Sequence, residues 1–489
     1  MSWDVAIIGG GVVGTAIARE LARYQLRCVL LEADGDVGTG TTKANTAILH
    51  TGFDATPGTL ESRLVARGAA LLREYAARAG IAVEPTGALL VAWTEEQAGR
   101  LDAIAAKSKA NGYTRIRSVP VSEVYQREPH LGPDAAGGLW VPDEWVIDPW
   151  SVPLAYATEA VRAGVDLRLG TRVTGVSDLP GGDGFELTAG PKPLRCRFAV
   201  NAAGLASDVV DRMFGGGGFT IRPRKGELIV YDKLARTLVS SVILPVPTAR
   251  TKGVVVAPTV FGNVLLGPTA EDVTDRADRS TSAAGLSALL ADGRRILPGL
   301  AAEEVTATYA GLRAATEHSD YQLGLYGRYV RVAGIRSTGL TASLGIAEHV
   351  AGLLGEAGLP LKPRPGFGEG ESACAAPPLM PYLGEAGPRP YQDAARIAAD
   401  PAYGEIACHC ERVTRGEIRD ALASDLPPAG LDGLRRRTRA MNGRCQAFYC
   451  GAAVSAQFEQ AQFEQAQFEQ AQFEQAQFEQ AQPGAPDGD

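Results

Sequence analysis

Four cysteines are spaced to hold a soft metal or an iron–sulfur cluster. Cys408 and Cys410 form C-x-C, and Cys445 and Cys450 form C-x4-C after a long gap. Thiolates in two close pairs are ligands for iron–sulfur clusters, with structural zinc as the alternative. C-x-C is unusual for a zinc knuckle. At the other end of the chain, Gly9-x-Gly11-x-x-Gly14 follows the apolar run DVAII and opens a helical pattern. A second apolar run, CVLLE, ends at Glu32, 18 residues after Gly14. Strand, glycine turn, helix, strand and acid make a dinucleotide cradle. Gly9 permits the tight turn, Gly11 lets the pyrophosphate approach the backbone, and Gly14 lets the helix pack on the strand. Glu32 can accept from a ribose hydroxyl. Two redox signals on one polypeptide imply electrons passed onward from the nucleotide cofactor through a one-electron centre.

The elements that carry these groups belong to an ordinary globular chain. It has 489 residues, 45% hydrophobic and 21% charged, enough for about three domains. A net charge of -8 argues against broad nucleic-acid binding. The N-terminal MSWDVAIIGGG runs straight into a strand without a basic, apolar leader, and no stretch has the apolar length of a membrane span. Cys28 and Cys196 sit in apolar runs and are expected in buried strands, and Cys374 lies in a Pro-rich stretch. This usage points to a reducing, cytoplasmic setting.

Three segments return to one nucleotide. After Glu32 come the small and hydroxyl residues Gly38, Thr39, Gly40, Thr41 and Thr42. FAVNAAGLASD brings a strand to Ala203 and Gly204, similar to the turn that closes the adenine side of FAD sites. VAGIRSTGLTASLGIAEHV gives a strand, a glycine-rich loop and a helix start at Gly339, Leu340 and Thr341. Three returns fit FAD better than NAD.

GGGVVG, TGTTKANTAILHTG, RPRKGELIVYDK, YAGLRAATEHSDY, GIRSTGLTASLGIA and the cysteine set resemble the D-amino-acid-oxidase-like FAD oxidoreductases. They most resemble the large subunit of anaerobic glycerol-3-phosphate dehydrogenase. The resemblance spans about residues 1–453. It implies an α/β fold: a Rossmann-type FAD-binding domain, a sheet-based α+β substrate domain, and a small helical [2Fe-2S] domain similar to bacterioferritin-associated ferredoxin. FAD and a [2Fe-2S] cluster are the implied cofactors, with Val173 also on the FAD side. His50-Thr51-Gly52 is followed by FDATPGTL, without the Arg found there in aerobic glycerol-3-phosphate dehydrogenases. The segment resembles L-2-hydroxyglutarate oxidases as much. Ala447 stands where such [2Fe-2S] domains often carry Gly.

A flavin that oxidises a carbinol or amine needs a base and an anion anchor. His50 is the candidate base, at the flavin's substrate face by the resemblance, and His318 is its rival. Arg313 in YAGLRA is the candidate anchor, a fixed fork for carboxylate or phosphate. Arg336 can reach substrate or flavin. Lys225 either lines the substrate side or ends a solvated strand. Near the cysteines, Arg436, Arg437, Arg439 and Arg444 can offset cluster charge, and His409 is expected exposed. Thr414 and Glu417 have capping-box spacing before a helix.

The expected layout places the oxidoreductase in residues 1–358. Its FAD parts are 1–75, 150–215 and 328–358, and its substrate parts 76–149 and 216–327. A linker (359–403), the cluster domain (404–455) and a tail (456–489) follow. In the tail AQFEQ repeats five times. Ala, Gln and Glu favour helix, but a five-residue step turns a helix by about 140° and leaves no phenylalanine stripe, so a frayed tail is expected.

The expected activity is dehydrogenation of a small anionic substrate, first sn-glycerol 3-phosphate to dihydroxyacetone phosphate. A 2-hydroxy acid such as L-2-hydroxyglutarate, or an amino acid, is the alternative. Electrons would leave through the cluster to a partner flavoprotein or quinone-linked subunit, with at most peripheral contact at the inner face of the membrane. A direct oxidase and a non-catalytic relay subunit are the competing classes.

Overall fold

A computed structural model describes residues 2–247, 253–365 and 377–481. Cys374 and the terminal QPGAPDGD lie outside them. The chain divides into two compact units, Met1–Gly387 and Pro388–Asp489.

The first unit is built on two large sheets. The strand Ser2–Ile8 forms because its second half is a fully apolar run with both faces covered. It runs parallel to Cys28–Leu31 on one side and to Leu194–Asn201 on the other. Asp166–Arg168 extends the parallel set beyond Cys28–Leu31, and Tyr329–Ala333 extends it beyond Leu194–Asn201. An antiparallel hairpin, Gly175–Asp178 with Phe185–Thr188, covers the first half of Leu194–Asn201. Gln322–Tyr326 completes this eight-stranded sheet as a hairpin partner of Tyr329–Ala333. It therefore sits with the cofactor sheet, although its residues fall in the stretch expected for the substrate domain. Cys28 and Cys196 are both buried in these strands.

Four helices pack against this sheet and each other: Val12–Leu21, Leu60–Arg78, Ser151–Arg162 and Gly339–Glu356. Glycines let two of them approach closely. A β-carbon on Gly68 would stand 2.2 Å from the Thr341 carbonyl oxygen, and one on Gly345 would stand 2.6 Å from that of Leu64. A buried polar network crosses the same layer, with Glu159 accepting from Arg19 Nε and Tyr75 Oη at 2.9 Å each.

The second sheet has nine strands and is almost entirely antiparallel. Its longest pair is Arg222–Tyr231 with Val305–Ala315. The helix Ala283–Ile296 covers one face, burying Leu289 and Ile296 with Ile229 and Tyr231. A small third sheet joins Ile48–Leu49, Trp145–Ile147 and Val83–Glu84.

The second unit is mostly helical, with Arg415–Leu422, Leu431–Thr438 and Gly451–Ala481 around the short hairpin Ile406–Cys408 and Val413–Thr414. Thr414 and Glu417 form the capping box. Residues 388–403, within the stretch expected as linker, belong to this unit and carry the short helix Ala394–Ala399. The repeat is not frayed. It continues a 31-residue helix, Gly451–Ala481, whose first copy buries Phe458 beside Val454. Gln460 donates to Glu464 at 2.7 Å and Gln470 to Glu474 at 3.0 Å. Such i,i+4 pairs and high intrinsic propensity hold the helix without an apolar stripe. Phe463 and Phe468 are exposed. Among the described residues, no helix is long and apolar enough to cross a membrane.

Candidate active site and cluster centre

The parallel strands deliver the cofactor residues to one edge of the first sheet, where nucleotides bind in such folds. Gly9 follows Ile8 at φ +110°, and a β-carbon there would stand 2.5 Å from the Ala202 carbonyl oxygen. A β-carbon on Gly14 would stand 1.8 Å from Gly9 O. Neither position tolerates a side chain. Gly11 caps the helix Val12–Leu21 without a side-chain hydrogen bond, and Val12 N donates to Thr42 Oγ1 at 3.0 Å.

Glu32 ends the next strand. Its Oε2 accepts from Gly10 N at 2.5 Å and its Oε1 from Asp34 N at 2.8 Å. Burial pushes its carboxyl up. Thr171 N donates to Glu32 O at 2.7 Å, which brings buried Val173 to the same edge. Ala203 and Gly204 follow Leu194–Asn201, where Ala202 N donates to Ile8 O at 2.9 Å. Asn201, fully buried, braces this turn by donating to Ser207 O and accepting from Ala203 N. Gly339, Leu340 and Thr341 open a second helix with no side-chain cap. Two helix N-termini and a cradle with no room for side chains fit a dinucleotide.

The segment 41–51 ties the cofactor edge to the second sheet. Thr41 Oγ1 donates to Leu312 O at 2.8 Å, and Tyr309 Oη donates to Asn45 O at 2.7 Å. Gly311 approaches so closely that a β-carbon would stand 2.4 Å from Ala44 O. The strand carrying Arg313 is thus held against the cofactor loop. At the far end of the segment, His50 N donates to Thr341 Oγ1 at 3.0 Å, beside the second helix start. His50 Nδ1 lies 2.9 Å from Oε2 of Glu144, which is fully buried.

Arg313 is half-buried and has no hydrogen-bond or ion-pair partner among the described residues. Burial and the neighbouring Arg224 charge push its pKa down. Arg224 is its cross-strand partner and forms an ion pair with Asp272 at 2.9 Å. The other candidate cations are engaged. Arg336 Nη2 lies 3.0 Å from Glu61 Oε2 and donates to Ser319 O at 2.6 Å. Lys225 is buried instead of solvated and meets Asp278 at 2.8 Å. His318 is exposed and bonds Gly218 O at 2.8 Å.

In the second unit the thiols neighbour one another in two pairs, Cys410 beside Cys445 and Cys408 beside Cys450. None is in a disulfide. Among the described residues, no three His, Cys, Asp or Glu side chains converge as a single metal ion needs. Two thiol pairs suit a two-iron cluster better than zinc. Backbone N–H groups of Tyr449, Ala447 and Phe448 hold the Cys445 thiol below the usual thiol range, while burial pushes Cys450 up to about 12.

Three of the four arginines expected to offset cluster charge have other partners. Arg439 pairs with Glu411 at 3.1 Å, Arg436 with Asp432, and Arg437 donates to Leu426 O and Gly433 O. Only Arg444 of that set is exposed, as is His409. Phe448 and Tyr449, between the last two cysteines, are 84% and 79% exposed and meet edge-to-face at 5.2 Å.

Residues that sequence reasoning missed are Glu144, Thr51, Gly226 and Arg224. Glu144 precedes a strand in PDEWVID, and only the pairing of Ile48 with Val146 and Leu49 with Trp145 brings it to His50.

Residues 4–353 match the FAD dependent oxidoreductase family, and residues 406–460 match the BFD-like [2Fe-2S] binding domain. The chain is 33% identical over 457 residues to a glycerol 3-phosphate dehydrogenase of Caloramator mitchellensis, covering 92% of this chain and 93% of that protein. It is 29% identical to a glycerol 3-phosphate oxidase of Mycoplasma pneumoniae, covering 72% and 94%. The solved L-alpha-glycerophosphate oxidase from Mycoplasma pneumoniae with FAD bound superposes with a TM-score of 0.71 at 27% identity, over 75% of this chain and 97% of that one. The glycine cradle and the paired thiols thus stand in a two-cofactor enzyme, and the chain belongs to the FAD-dependent oxidoreductase family, with a BFD-like [2Fe-2S] domain after it.

Proposed function

We propose that the chain oxidises sn-glycerol 3-phosphate to dihydroxyacetone phosphate. The observation that carries this reading is Arg313, a half-buried guanidinium with no counter-ion among the described residues, on the strand opposite Arg224. A charge withdrawn from water without a partner is costly unless a ligand supplies one. Arg313 is thus placed to take an anionic group, phosphate or carboxylate, while Arg224 already pairs with Asp272. The relatives named for glycerol 3-phosphate support the same substrate.

Gly9, Gly11, Gly14, Glu32, Thr41, Thr42, Val173, Ala203, Gly204, Gly339, Leu340 and Thr341 would hold FAD. Cys408, Cys410, Cys445 and Cys450 would hold the cluster. When bound, FAD takes the substrate's hydride and the [2Fe-2S] cluster relays the electrons singly. Arg313 binds the phosphate and fixes the carbinol carbon's position. His50 accepts the hydroxyl proton as the carbonyl forms. Arg336, bound to Glu61, keeps the loop before the second helix in place. The acceptor is a flavoprotein or quinone-linked partner, met by a cytoplasmic chain at the inner face of the membrane.

An anaerobic titration with glycerol 3-phosphate, following flavin and cluster absorbance together, tests this. Both bands are expected to bleach. If neither changes while dithionite reduces both, glycerol 3-phosphate is not the substrate, and L-2-hydroxyglutarate and then amino acids follow.

A further inference from the structure

We propose that Glu144 is a positioning residue that holds the His50 imidazole in its Nδ1–H tautomer, so that Nε2 carries the lone pair that takes the substrate proton. The inference rests on His50 being the base.

The antiparallel register sets Ile48 opposite Val146 and Leu49 opposite Trp145, so the chain delivers Glu144 alongside His50. The carboxyl group is 0% exposed. Its Oε1 accepts from Thr51 N at 2.6 Å and from Thr51 Oγ1 at 2.8 Å. A backbone N–H can only donate, so Oε1 is an acceptor. Oε2, 2.9 Å from His50 Nδ1, is the other half of a group that only accepts when ionised. With Glu144 ionised, the hydrogen between them belongs to Nδ1. From the opposite side, His50 N is fastened to Thr341 Oγ1 at 3.0 Å. One carboxylate thus fixes both the turn after His50 and the orientation of its ring.

In the proton step the substrate O–H bond breaks and an N–H bond forms at Nε2. The C–H hydrogen would leave with its electron pair as a hydride, which FAD would take when bound, and the positive charge left on the imidazole faces Glu144. A bridging carboxylate of this kind orients a histidine base and stabilises its charged form.

A purely structural role for Glu144 is separable. In Glu144→Gln the amide oxygen still accepts both Thr51 donors, but the amide NH2 now faces Nδ1. That imposes the Nε2–H tautomer without removing the Thr51 bonds. In the FAD-loaded full chain, the limiting rate of flavin reduction by glycerol 3-phosphate should fall roughly 10²–10³-fold. Substrate affinity should change by less than about threefold, since the anion anchor is untouched. In the 15N spectrum of histidine-labelled wild-type protein, His50 should be protonated at Nδ1. In Glu144→Gln it should be protonated at Nε2. Comparison with His50→Gln assigns the signal.

Wild-type flavin reduction rates in Glu144→Gln would overturn the proposal, as would a wild-type His50 that carries its hydrogen on Nε2. The wild-type spectrum decides the matter if the variant does not fold or glycerol 3-phosphate is not the substrate. His50→Gln separates the two assignments. If it reduces flavin at full speed, the base itself is wrong. If it is slow while Glu144→Gln is fast, only the role of Glu144 fails.

Discussion

The Arg313 guanidinium lies over the bare α-carbon of Gly226. A β-carbon on Gly226 would stand 2.8 Å from Nη2 and 3.1 Å from Nη1, and 2.9 Å from Cβ of Pro268. The two strands pair Arg224 with Arg313 and Gly226 with Gly311, so the missing side chain makes room for the cation. Gly226→Ala should displace the guanidinium. Overpacking against Pro268 should destabilise the fold by about 1–3 kcal/mol. Steady-state kinetics should show KM for the anionic substrate raised at least ~10-fold. An unchanged KM would mean that Arg313 does not bind the substrate from this position.

Arg313→Leu separates stability from binding. The guanidinium has no partner among the described residues, and burial opposes its charge. Its removal should leave the melting temperature of the substrate-free protein equal or higher. KM should rise about 10–100-fold, the loss of a charged hydrogen-bonding anchor worth about 1.5–3 kcal/mol. A large drop in melting temperature would instead assign Arg313 a structural role.

Ala447→Gly should strengthen the cluster domain. Ala447 sits at φ +72°, after Gln446 at φ +46°, where a β-carbon costs about 1–2 kcal/mol. Glycine removes that cost but loses more chain entropy on folding. The net gain should be about 0.5–1 kcal/mol, seen as later loss of cluster absorbance in a thermal ramp. Earlier loss would show that the methyl group makes a compensating contact.

Cys445→Ser should abolish the cluster bands while substrate still bleaches the flavin. Serine replaces the soft thiolate ligand with a hydroxyl that binds iron poorly. Turnover with a small dye should persist. Full turnover with the physiological acceptor would remove the cluster from the electron path.

Local features of the site were legible in the sequence. The cradle from Gly9 to Glu32 is one strand–helix–strand unit, and its glycines face steric limits set within that unit and its neighbour strand. The capping box at Thr414 spans one helical turn. Pairings across strands were not legible. Glu144 meets His50 across 94 positions, and Gly226 meets Arg313 through an antiparallel register that composition does not encode. The paired state of Arg336 was hidden for the same reason, because Glu61 lies 275 positions away. The repeat was misjudged because the missing apolar stripe outweighed propensity. In the structure, the buried anchor at Val454 and Phe458 starts the helix and Ala, Gln and Glu carry it on.

That helix has a property of inheritance as well as of packing. Each AQFEQ copy adds about 7.5 Å of length and about 140° of rotation. The buried anchors, Val454 and Phe458, lie before or within the first copy. A slip during replication that gains or loses a downstream copy therefore changes how far the rod reaches and leaves the core of the cluster domain intact. Copy number can drift between lineages under little selection from folding, so the rod's length should differ among strains where the cysteines do not.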